Sequence, residues 1–220
     1  MQKEKVYRYI LAVISLFFIG MGVAFTKYGG IGVSTISSVA NVVSLRFTFI
    51  SFGSWIIISY FIMISIQVVL LGKKFPIFQL LQVPVSFLTG YFTDFNLLWL
   101  KEIPVNGYYL QLLLVVIGVV VLGFGICLGV IADVVMSPAE ALVKVIADKT
   151  HKDFGTVKIA FDIFCVLLAV MLSVIFFNGK IAGVREGTLI SAFFTGVVIK
   201  FFKSFLNKPL NEFFKKGGDK

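Results

Sequence analysis

Ser137-Pro138-Ala139-Glu140-Ala141-Leu142-Val143-Lys144-Val145-Ile146 has a counterpart 103 positions earlier, Ser34-Thr35-Ile36-Ser37-Ser38-Val39-Ala40-Asn41-Val42-Val43. Ile36, Val39, Ala40 and Val43 stand where Ala139, Leu142, Val143 and Ile146 stand in the later stretch, the spacing of one helix face. Each reads as a short amphipathic helix opening at a serine able to cap it. The second adds Pro138 at the first helical position and Glu140 three residues after the cap, which is a capping box. Two such stretches half a chain apart point to a duplication.

Other matches extend it. Phe52-Gly53-Ser54 aligns with Phe154-Gly155-Thr156, Gly72-Lys73 with Gly179-Lys180, and Ser86-Phe87-Leu88-Thr89-Gly90 with Ala192-Phe193-Phe194-Thr195-Gly196. Between these markers lie long apolar runs. The chain is 59% hydrophobic and 14% charged, with a mean hydropathy of +1.00. No soluble core of 220 residues hides that much apolar surface, so the solvent is a bilayer.

Six spans are expected: Ile10–Phe25, Gly53–Leu71, Ile77–Phe92, Tyr108–Ala132, Gly155–Phe177 and Thr188 to about Phe202. The first resembles a signal peptide but lacks a small-residue cleavage site and is expected to stay. The third reads as short and interrupted by Pro84, with a polar connector from Asp94 to Gly107 and a disordered end from Gly217 to Lys220. With the amino terminus in the cytoplasm, fifteen of the 20 Lys and Arg residues fall inside, which favours cytoplasmic termini and an even number of spans. The net charge of +9 is thus an orientation signal, and nucleic acid is not expected as a partner. Three spans per copy invert the second copy. The expected fold is all-α and polytopic, six helices as two inverted three-helix repeats at about residues 8–95 and 108–205, each with a short amphipathic or re-entrant helix. One membrane domain covers residues 1–220, with a basic tail over 203–220.

Inverted repeats of this kind build secondary transporters and some channels, with a site near the midplane marked by short or interrupted helices. Asp162 is the sharpest candidate, since a carboxylate within a membrane helix is costly unless paired or hydrated. Lys158, one turn earlier, offers the plainer reading of an ion pair. Tyr60 takes the equivalent place in the first half. If the short helices are re-entrant, their amide-bearing starts near Ser34 and Ser137 can hold an anionic group, with Asn41 and Glu140 facing polar space; if they lie on the interface, they hold nothing. Gln79 and Gln82 correspond to Arg185 and Thr188 at the starts of the third and sixth spans. Cys127 and Cys165 have no metal-ligand spacing, His151 lies in an exposed turn, and no nucleophile-base pattern or nucleotide loop occurs, so neither an enzyme nor a cofactor is expected.

The residues Ser137-Pro138-Ala139-Glu140-Ala141-Leu142, Phe154-Gly155-Thr156 and Gly183-Val184-Arg185-Glu186-Gly187-Thr188 running on to Gly196 resemble the bacterial YczE/YitT/YyaS group of membrane proteins, over most of the chain. The resemblance implies a multi-pass fold in a bacterial inner membrane. Two features differ from those expected of the group: Ser137 replaces an aspartate or other polar residue before the proline, and Arg185-Glu186 interrupts a Gly-x-Gly-Thr pattern. The function expected is a secondary transporter or facilitator for a small polar or anionic solute. The alternative is a non-transporting assembly or regulatory partner, binding a second copy or another membrane protein through the glycines of the fourth span.

Overall fold

A computed structural model describes residues 2–218, and helices make up nearly all of it. They are α1 (Gln2–Gly29), α2 (Ser38–Arg46), α3 (Phe52–Leu71), α4 (Gln82–Leu100), α5 (Tyr108–Ala132), α6 (Pro138–Thr150), α7 (Phe154–Phe176) and α8 (Glu186–Gly218). Two 3₁₀ turns, Gly72–Lys74 and Ile77–Leu81, lead into α4. Five helices, α1, α3, α5, α7 and α8, are long and apolar enough to cross a membrane.

The packing is organised by glycines. A Cβ on Gly22 of α1 would run into the backbone of Leu122 on α5, and one on Gly125 of α5 would lie 2.7 Å from the Ile19 nitrogen on α1. The two backbones therefore touch, the close approach that small residues give membrane helices. Gly20 brings α1 onto α4 at Phe92 and Thr93, and Gly123 brings α5 onto α8 at Val198. The short helices cross over, α2 packing on α7 and α6 on α3.

α4 corrects the sequence reading. It extends to Leu100, so Asp94 lies inside a helix and not in a connector. Pro84 is its third residue, among the first four N–H groups that lack helical partners, and so does not break it. Its buried face is polar, Gln82, Ser86, Thr89, Thr93 and Asn96. Ser86, Thr89, Thr93 and Asn96 each donate to the carbonyl four residues back, while Phe87, Tyr91 and Phe95 point outward. This inside-out polarity leaves α4 less apolar, over the length of a membrane span, than the five long helices while its polar side is buried.

The carboxyl end is corrected too. α8 does not stop near Phe202 but continues to Gly218, past Pro209. Leu206, Leu210 and Phe214 recur on one face and pack on Leu11, Cys127 and Ile131. Arg8 donates to the Ile131 and Ala132 carbonyls at the end of α5 and to Asn211, with the Phe214 ring beneath its guanidinium. The expected disorder from Gly217 falls partly within α8; Asp219 and Lys220 lie outside the described residues. The third run, read as short and interrupted by Pro84, and the sixth, read as a short span from Thr188 to about Phe202, thus become helices of 19 and 33 residues.

Gly22→Ala should cost about 1–3 kcal/mol through the overpacked α1–α5 crossing, lowering the thermal midpoint in detergent by roughly 2–4 °C per kcal/mol. Gly196→Ala, where a Cβ meets nothing within 4 Å, should leave it unchanged or slightly raised. Equal midpoints for the two variants would contradict the crossing as the main constraint.

Candidate functional site

α2 and α6 bring their amino-terminal turns to one place. Ala40 of α2 and Ala139 of α6 belong to a single buried cluster with Val23, Leu122, Phe52, Ile56 and Tyr60, bordered by Ile36 and Phe161. Of the candidates, Tyr60 belongs to this cluster, Ser137 and Glu140 lie within two residues of Ala139, Ser34 lies two residues before Ile36, and Asp162 follows Phe161 on α7. The two starts differ locally. Ser137 accepts from the Glu140 N–H at 3.4 Å, behind Pro138, as the sequence predicts. Ser34 caps nothing: α2 begins four residues later, after Ser37, whose side chain makes no capping bond. The Ser34 hydroxyl instead donates to Ser37 Oγ at 2.9 Å. Ser38 donates to the Thr35 carbonyl and reaches the Cys165 carbonyl, tying α2 to the middle of α7.

Asp162 is paired with Lys158, both on α7, with side chains 20% and 26% exposed. The plainer reading of this carboxylate is therefore present in the structure. What the sequence did not show is that the charges of the pair act on Glu140. Burial pushes the Glu140 carboxyl up from its ordinary value; hydrogen bonding to Ser137 and the Lys158 charge oppose the rise, and the Asp162 charge adds to it. Glu140 retains some open surface amid closely packed atoms, the setting in which a carboxylate holds its proton more tightly.

A second polar group was missed. Lys27, counted in the sequence only as an orientation charge, sends its ammonium to Asn41 Oδ1 and to Ser44 Oγ and lies 4.8 Å from the Phe52 ring centre. The Asn41 amide in turn donates to the Gly183 carbonyl at 2.6 Å. Asn41 thus faces protein and a lysine. The usable signal was that Lys27 is the one basic residue between Arg8 and Arg46, on the helix that leads into the segment carrying Asn41.

Gln82 and Thr188 act as latches. Gln82 and Gln67 exchange side-chain hydrogen bonds at 3.1 and 3.0 Å, and Gln67 also donates to the Pro138 carbonyl. At the other site, Thr188 Oγ1 accepts from the Val33 N–H and the Gly187 N–H donates to the Ile31 carbonyl. The start of α8 thereby grips the segment leading to α2 directly, while the start of α4 reaches the first residue of α6 only through Gln67 of α3. Arg185 stands apart, exposed and paired with Glu186 at 3.0 Å, and the side-chain amide oxygen of Gln79, Oε1, is buried without a partner among the described residues. Among those residues no cluster of His, Cys, Asp and Glu is arranged for a metal.

A family of unknown function, DUF6198, matches residues 6–204. The chain belongs to the DUF6198 family. No curated protein and no solved structure matches it.

Because burial penalises the charged form of Glu140, the stabilisation is complete below the ordinary carboxylate range, around pH 4, and is lost as pH rises through the elevated value in the folded state. Glu140→Gln is uncharged throughout. The variant should match the parent near that pH and exceed its thermal midpoint in detergent at about pH 8, by roughly 2–4 °C per kcal/mol of penalty. A midpoint difference that does not change with pH would contradict the half-buried, proton-holding carboxylate.

Proposed function

We propose that this protein is a secondary transporter or facilitator of a small polar or anionic solute in a bacterial cell membrane. The observation that carries the reading is the meeting of α2 and α6 on one buried cluster, with Glu140, Lys158 and Asp162 beside it. Two short helices whose starts share one buried cluster bring their positive dipole ends to it. Ionisable groups inside a membrane protein mark solute or proton pathways.

In this reading α4 makes a sixth crossing, and α1 to α4 and α5 to α8 are two inverted copies. The packing supports it: α1 lies on α4 as α5 lies on α8, and α2 lies on α7 as α6 lies on α3. Gly20 and Gly22 of α1 match Gly123 and Gly125 of α5 in sequence and in the helices they meet. Arg8 reaches Asn211, so the two ends of the chain share one face, which needs an even number of crossings. The excess of Lys and Arg on that face supports a cytoplasmic orientation for it. Solute binds between the copies, near Ser34, Ser137, Tyr60 and Glu140, and rocking of one copy against the other exposes it alternately.

Single cysteines at Ser34, Ser137 and Tyr60, in a Cys127→Ala, Cys165→Ala background, test it in intact cells. Membrane-impermeant thiol reagents should label these positions at rates that change with added solutes. Uniform protection in a folded protein would mean a dry bundle and would favour the assembly-partner reading.

A further inference from the structure

The two halves are not in the same conformation. In the first, α3 and α4 are clamped: a Cβ on either Gly53 or Gly90 would strike the other's carbonyl oxygen, both glycines are buried, and Asp94 Oδ1 accepts from the Gly53 N–H at 2.8 Å. In the second, α7 and α8 barely touch. Gly155 and Gly196, the counterparts of Gly53 and Gly90, are both exposed, and a Cβ on Gly196 would meet nothing within 4 Å. Phe193 stands 75% exposed beside the gap.

The charges of the two pairs are exchanged. α3 has a neutral cap, Ser51, and receives its acid from α4 through Asp94. α7 has an acidic cap, Asp153, whose carboxylate accepts from the Thr156 N–H. At the α8 position equivalent to Asp94 stands Lys200, exposed and without an ion pair among the described residues. Asp153 precedes Gly155 and Lys200 follows Gly196, so on antiparallel helices both lie on the same side of the glycine pair. Bringing Gly155 to Gly196 brings Lys200 to Asp153.

We propose that α7 and α8 are an open gate that closes in a second conformation, with Gly155 against Gly196 and an Asp153–Lys200 ion pair, as α4 releases α3. The occupant of the gap is α8 of the same chain, because the equivalent seat in the first half is filled by α4 of that chain. The proposal rests on the transporter reading and supplies the gate it requires: inverted copies exchange conformations when access alternates. Helix approach through small residues gives a closed state without reshaping either helix.

The test is oxidative crosslinking of Gly155→Cys with Gly196→Cys in the full chain, lacking Cys127 and Cys165, reconstituted in liposomes. An intrachain disulfide should form. Adding Lys200→Glu should slow it, and adding Asp153→Lys to that variant should restore it, by up to about fivefold for an exposed ion pair. Crosslinks between chains would overturn the proposal in favour of a seat for a second copy. No crosslink in a monodisperse protein would overturn it outright. Either failure leaves thiol access to Ser34 and Ser137 untouched, and dryness there would sink the transport reading without preventing this crosslink.

Discussion

Contact between the backbones of α1 and α5 is the constraint on which the structure depends. Lipid offers apolar helices no hydrophobic reason to associate, so their association rests on close packing and on internal hydrogen bonds. Gly22 and Gly125 provide the first by removing the side chains that would hold α1 and α5 apart. Gly20 and Gly123, two residues away on the same helices, place α4 and α8. With those four helices set, α3 and α7 remain outside, and the short helices fill the space between them.

Hydrogen bonding does the rest. Among the apolar side chains of the interior sit Gln67, Gln82, Asn41, Ser38 and Thr188, each with a partner, while Phe87, Phe95, Phe193 and Phe201 face outward. These bonds join segments distant in sequence, such as Gln67 with Pro138 and Val33 with Thr188. A polar interior is costly where unsatisfied and specific where satisfied. Here it fixes where α2 and α6 start, and the carboxylate of Glu140 is brought into that interior by the same geometry.

Much of this was legible because periodicity and apolar length survive in one dimension. The two amphipathic stretches became α2 and α6, and the Ser137-Pro138-Glu140 start formed as its residue types predict. Five apolar runs became helices long enough to span. The misses share a cause. Asp94 and Pro84 look like breaks in an apolar run, but Asp94 completes a contact with Gly53 that lies 41 residues away. The end of α8 looks like a basic tail because its apolar face, Leu206, Leu210 and Phe214, finds its partners only on α1 and α5. Lys27 looks like an orientation charge until Asn41 is placed beside it. Asp162 was picked out for being a charge in an apolar run, and its partner was legible as Lys158 one turn away; that both charges act on Glu140 was not.

The central claim is that equivalent helices of the two halves enter the membrane from opposite sides, and sidedness measures it most directly. Single cysteines replacing Ser51 and Asp153, the caps of α3 and α7, can be labelled with an impermeant maleimide in right-side-out and in inverted membrane vesicles. The account predicts that Ser51→Cys reacts in right-side-out vesicles and Asp153→Cys only in inverted ones. Reaction of both from the same side would contradict the inverted arrangement and, with it, the account of α2 and α6 as two halves of one site.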